Sequence, residues 1–177
     1  MNHFWQQISA LLLGFSVPTF ALDHHAEMPQ FKLRGVDGSV FDSALAIGSP
    51  LLAVVFLSNH CPASQMFQGE LIMLANEYRS KGFRLIAISP NDPEAIPPDE
   101  LAYSDLGDSL PEMKIRAKEL KYPFPFLYDG ETQQTAKMFG VKVTPHVYLF
   151  DKNRKLRYSG RIGDPKNPRV QERQELR

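Results

Sequence analysis

The chain has 177 residues, 43% apolar and 23% charged, which is enough for one packed domain with a hydrophobic core. Its 20 basic and 20 acidic residues cancel, so composition carries no electrostatic footprint for nucleic acid or for an anionic membrane surface. A single cysteine, Cys61, excludes an intramolecular disulfide, a disulfide framework and a multi-cysteine zinc site.

In chain order, the first feature is an apolar stretch from Ile8 that ends in Thr19-Phe20-Ala21, with small residues at the −3 and −1 positions of a cut after Ala21. This predicts a secretory signal over residues 1–21, although it lacks a basic start. The domain is expected over 22–165, in a periplasmic or secreted location, with no stable membrane association after signal removal. Residues 22–30 read as a flexible lead-in. Short alternating strands, Phe31 to Arg34 and Val40 to Asp42, flank Asp37-Gly38, a hairpin-type turn. Leu51 to Leu57 is apolar on both faces and predicts a central strand. From Pro62 to Ser80, Phe67, Leu71, Leu74, Ala75 and Tyr78 recur at helical spacing.

Phe83 to Ser89 predicts a second buried strand. Pro90 to Pro98 is a proline-rich loop past that strand, read as a rigid surface connector or as a border of the functional cleft. Ser109-Leu110-Pro111-Glu112 is a capping box opening a helix to about Leu120. A strand over Pro123 to Tyr128, a helix over Glu131 to Phe139, and strands over Val147 to Phe150 and Lys155 to Arg161 complete the domain. A polar tail, 166–177, follows. Strands alternating with helices predict an α/β fold with a central sheet covered on both faces.

The chemistry centres on Ser58-Asn59-His60-Cys61-Pro62-Ala63-Ser64. A cysteine at the junction of a strand and a helix sits where the helix N-terminus favours negative charge, and the thiolate is the reactive form. Pro62 suits the first helical position. Ser58 is a candidate to hydrogen-bond the thiolate or a peroxide oxygen. Ser64, one turn along, is a candidate to donate to the sulfur or to cap the helix. His60 and His146 are candidate proton donors. Copper binding by Cys61 with His60, His146, His24 or His25 is a weaker alternative that no spacing enforces.

These residues resemble the thioredoxin-like superfamily, and more closely its redoxin group of peroxiredoxin-like and thiol-disulfide oxidoreductase-like domains. The resemblance rests on the strand running into Cys61-Pro62-Ala63-Ser64, on Val143-Thr144-Pro145 ahead of Val147 to Phe150, and on Asp151 to Leu156 leading into a final hairpin. It implies a thioredoxin-like fold with a mixed central sheet, and a cis Pro145 packed beside Cys61. It also implies a substrate-binding ledge formed by Pro62, Thr144, Pro145 and His60, with catalysis by Cys61, Ser58 and Ser64. The second cysteine of dithiol enzymes is replaced by Ser64. Of the proline and hydroxyl that precede the peroxiredoxin cysteine, only Ser58 is kept, with Val54 at the proline position. The implied activity is thiol-based reduction of peroxide or exchange with disulfides. No cofactor and no metal are expected, and an external thiol reductant or a protein disulfide is the partner. The alternative is a non-enzymatic module that holds an extended peptide on the Thr144-Pro145 ledge. Members of the group continue with a further helix, which implies that the polar tail is truncated.

Overall fold

The alternation along Leu51–Phe56 builds two cores at once. In the computed structural model, which describes residues 22–45 and 48–162, Leu52, Val54 and Phe56 face one side of the sheet. Ala53, Val55 and Leu57 face the other, as the two-residue period of a strand requires. The strands are β1 (Lys32–Gly35), β2 (Val40–Asp42), β3 (Leu51–Phe56), β4 (Phe83–Ser89), β5 (Phe126–Tyr128), β6 (His146–Asp151) and β7 (Leu156–Gly160). They form one mixed sheet in the order β2-β1-β5-β4-β3-β6-β7. Strands β3, β4 and β5 run parallel, and β6 lies antiparallel to β3 with His146 opposite Phe56. The expected signal segment and the C-terminal tail lie outside the described residues.

The helices are α1 (Pro62–Tyr78), α2 (Pro98–Leu101), α3 (Leu110–Glu119) and α4 (Gln134–Phe139). Helices α1 and α3 cover one face through Leu71, Ala75 and Met113. Helix α4 covers the other through Ala136 and Phe139. Among the described residues, no helix is long and apolar enough to cross a membrane.

Three expectations need correction. Residues 22–30 are not a free lead-in: the His25 and Met28 amides donate to the Leu156 and Arg154 carbonyls at 3.0 and 2.9 Å, and Met28 is buried. The pairing reaches from Arg154 to Leu156 and covers the start of the edge strand β7. On α1 the buried stripe is Ser64, Gln68, Leu71 and Ala75, while Phe67, Leu74 and Tyr78 are only partly buried. Hydrophobic spacing missed the first two because both are polar; Ser64 accepts the Ser58 backbone amide. Helix α4 begins at Gln134 rather than Glu131. Asp129 sets that start by accepting the amides of Thr135 and Ala136 at 3.1 and 2.8 Å; burial pushes its carboxyl up, against these bonds.

Phe139 anchors α4. It is fully buried and meets the rings of Phe31, Phe56, Tyr148 and Phe150 edge-on, an arrangement aromatic quadrupoles favour. The Tyr148 hydroxyl donates to the Phe139 carbonyl at 2.8 Å, and burial raises that phenol to about 12, so it remains a donor throughout the physiological range. Phe139→Ala is expected to cost about 3–5 kcal/mol through the cavity it leaves. Urea denaturation measures this; a loss under about 1 kcal/mol would show that α4 is not held by this ring.

Candidate active site

The parallel strands β3 and β4 deliver their following loops to one end of the sheet, and antiparallel β6 starts at that same end. The loop after β3 (58–61), the loop after β4 (90–91) and the segment entering β6 (143–145) therefore converge. Ligand sites of open α/β sheets form at such an end, outside the carboxyl ends of parallel strands.

Cys61 is the N-cap residue of α1, extended at φ −73° and ψ 116°, with Pro62 in the first turn. Its carbonyl accepts the Gln65 amide at 3.0 Å, so the sulfur is carried on the first turn of a regular helix. Cys61 is partly exposed and free. Its Sγ lies 3.4 Å from the Thr144 carbonyl oxygen, and the Thr144–Pro145 peptide is cis. The structure thus brings Cys61, Pro62 and Thr144 together across 83 residues of sequence, with Pro145 buried next to Thr144.

The two serines are placed otherwise than expected. The Ser58 hydroxyl pairs with Thr144 Oγ1 at 3.0 Å, not with the sulfur. Ser64 Oγ accepts the buried Ser58 amide at 3.3 Å and does not cap the helix. Both brace the turn that presents Cys61: one ties it to the segment entering β6, the other to α1. His146 forms a 2.9 Å hydrogen bond with Ser159 and stacks on Tyr148; burial holds its imidazole below the usual histidine range.

The copper alternative does not assemble. The backbone of His25 pairs with Leu156, which lies opposite Phe150 and through it Leu52, at the end of β3 away from the cysteine. Among the described residues, no group of three or more His, Cys, Asp or Glu side chains is arranged to hold a metal ion.

His60 is nearly buried and reaches a residue that sequence reading missed. Asp108, wholly buried, meets His60 Nδ1 through Oδ2 and accepts the Asn59 amide through Oδ1 at 2.5 Å. Asn91 Nδ2 donates to the same Oδ2 at 2.9 Å. Asn59 Nδ2 donates to the Gly107 carbonyl at 2.8 Å, and Gln65 Nε2 to the Asn59 carbonyl at 2.7 Å. The turn at Gly130 packs so closely on the Asn91 carbonyl that a Cβ there would lie 2.2 Å from its oxygen, which only glycine permits. No local signal pointed to Asp108, whose partners all lie on other segments of the chain.

An open cleft of about 590 Å3 runs past the sulfur. His60, Cys61 and Thr144 form its floor, Asn91, Glu100 and Tyr103 one wall, and Lys137 and Lys142 the other. The proline-rich segment is thus a border of the cleft and not a mere connector. It folds into a 3-10 turn, Pro93–Ala95, and its last proline opens the short helix α2.

A thioredoxin-like redox fold with one cysteine at the head of α1 is the class that this architecture defines. Residues 25–159 match the model of the AhpC/TSA family, and the chain belongs to that family. Among solved structures it is similar to an uncharacterized conserved protein from Geobacillus kaustophilus, at 38% identity and a TM-score of 0.73, covering 82% of this chain and 74% of that one. A hypothetical protein from Sinorhizobium meliloti matches at 30% identity and a TM-score of 0.73, covering 83% and 75%. A thiol:disulfide interchange protein of the thioredoxin family from Chlorobium tepidum shares the fold at 20% identity and a TM-score of 0.61, covering 83% and 91%. The comparison with curated proteins gives no match.

Ser64→Ala would leave the buried Ser58 amide without its acceptor and is expected to cost about 1–3 kcal/mol. Ser58→Ala frees a hydroxyl on the half-exposed Thr144 and is expected to cost less than about 1 kcal/mol. Denaturant midpoints of the two variants check the order; equal losses would show that Ser64 does not brace the turn.

Proposed function

We propose that the protein is a thiol oxidoreductase in which Cys61 attacks a disulfide sulfur and an external thiol completes the cycle. The observation that carries this reading is the placement of a partly exposed Cys61 Sγ at the head of α1, in an open cleft, against the Thr144 carbonyl. The N-terminal turn of α1 stabilises negative charge at sulfur. The backbone entering β6 offers a ledge for an extended chain beside it, and the cleft has room for the groups that flank a disulfide. With one cysteine in the chain, attack leaves a mixed disulfide on Cys61. A second thiol, free or on another protein, must release it.

Peroxide is the other electrophile open to this sulfur, and the product would be a sulfenic acid that an external thiol reduces. The kept hydroxyl of Ser58 favours this chemistry, but it is already engaged by Thr144 Oγ1, and Val54 stands at the proline position. Disulfide exchange is therefore the first reading. Pro62, Thr144, Pro145 and His60 serve as the binding surface, with Ser58 and Ser64 holding the Cys61 turn in place. The apolar segment ending at Ala21 supports work outside the cytoplasm, where disulfides persist.

Wild type and Cys61→Ser are to be compared in reduction of a small alkyl disulfide and of hydrogen peroxide, each with an excess of monothiol. Expected is thiol-dependent turnover that is faster with the disulfide and falls to the uncatalysed rate in Cys61→Ser. A faster peroxide reaction would establish the peroxidase reading. Equal rates for wild type and Cys61→Ser would show that the domain is a peptide-binding module with a dispensable cysteine.

A further inference from the structure

Asp108 and His60 form a pair whose hydrogen bonds determine which ring nitrogen carries a proton. The Asn59 amide and Asn91 Nδ2 can only donate, and both point at Asp108, so its carboxylate acts as an acceptor throughout. His60 Nδ1 in contact with Oδ2 is then the N–H, donating to the carboxylate. Nε2 is left on the side of Glu100, which lines the same cleft as His60 and Cys61. Facing Nε2 at 3.4 Å is Glu100 Oε2 on α2, a side chain that is 55% exposed. One imidazole is thus bracketed by a buried carboxylate that orients it and an exposed one at its reactive nitrogen.

We propose that His60 is a catalytic proton carrier of the cleft, with Asp108 as its positioning residue and Glu100 as the group that holds its charged form between turnovers. The inference rests on Cys61 being the attacking sulfur. In the forward step the Cys61 thiolate attacks R–S–S–R′ while His60 carries the proton on Nε2. A Cys61–S–S–R bond forms and the substrate S–S bond breaks. Cys61 is oxidised, the departing sulfur is reduced, and His60 returns the proton to give R′–SH. In the second step an external thiol gives its proton to His60 as it attacks the mixed disulfide. Cys61 leaves as the thiolate, R–S–S–R″ is released, and the proton stays on His60 for the next turnover. A departing alkyl thiolate is strongly basic, so supplying its proton accelerates the step; an aryl thiolate leaves without one.

That difference supplies the test. Single-turnover rates are measured for wild type, His60→Gln and Asp108→Asn with an alkyl disulfide and with an aryl disulfide such as dithiobis-nitrobenzoate. His60→Gln is expected to slow the alkyl reaction by about 100-fold or more and the aryl reaction by less than about threefold. Asp108→Asn is expected to act in the same direction, because an amide at Nδ1 permits the wrong tautomer. Equal slowing of both substrates, or slowing of neither, overturns the proposal. A wild type that reacts with both no faster than Cys61→Ser instead overturns the reading of Cys61 on which it rests.

Glu100→Gln provides a second readout, on a side chain that is 55% exposed. The groups facing His60 are Asp108 and Glu100, with Cys61 on its own loop and Tyr103, Lys137 and Lys142 around the cleft. Loss of the Glu100 charge is expected to slow the alkyl-disulfide reaction by about threefold or more and to leave the aryl rate in place. An unchanged alkyl rate overturns the proposal even where His60→Gln or Asp108→Asn fails to fold.

Discussion

A carboxylate with no access to water must find its partners inside the protein, and Asp108 finds them on two other segments. It takes the Asn59 amide and the His60 ring from the loop after β3, and the Asn91 side chain from the loop after β4. Its own segment is held by the capping box of α3, where Glu112 accepts the Gly107 amide at 2.9 Å and the Ser109 amide at 3.3 Å. Removing any donor would leave part of a buried charge unsatisfied, which is far more costly than the bond itself is worth. The cysteine loop therefore has little freedom to move independently of the segments beside it.

The sheet supplies the other half of that constraint. Strand β3 is buried on both faces by alternate side chains, so a register slip of one residue would exchange the two cores. Phe56 is pinned opposite His146 on one side and opposite Ile88 on the other. Everything that follows Phe56, including Ser58 and Cys61, inherits its position from those pairings. The Ser58 and Ser64 contacts then lock the short turn to the backbone entering β6 and to α1.

Much of this was legible in the chain. The unbroken apolar run into Cys61-Pro62 announced a central strand feeding a helix, and the capping box at Ser109 is formed as read. Thr144-Pro145 ahead of an apolar strand pointed to the ledge beside the sulfur. What escaped notice was polar and buried. Ser64 and Gln68 lie inward where an apolar count selects Phe67. Met28 docks from a segment that reads as a solvated tail, because only the open edge beside β7 gives it a place to go. Asp108 carries no local pattern, since its three donors come from positions 17 to 49 residues away.

By itself the sequence determined the principal strands and the two longer helices, the α/β class and the identity of the one residue able to act as a sulfur nucleophile. These follow from local periodicity, cap chemistry and a count of one cysteine. Only the tertiary structure decided what surrounds that sulfur: Thr144 against it, Ser58 bonded to the Thr144 hydroxyl, and a histidine oriented by a buried aspartate with a glutamate at its far nitrogen. Those relations depend on which loops the strand order brings to the same end of the sheet. Strand order is set by long-range pairing energies, and no short window of sequence contains them.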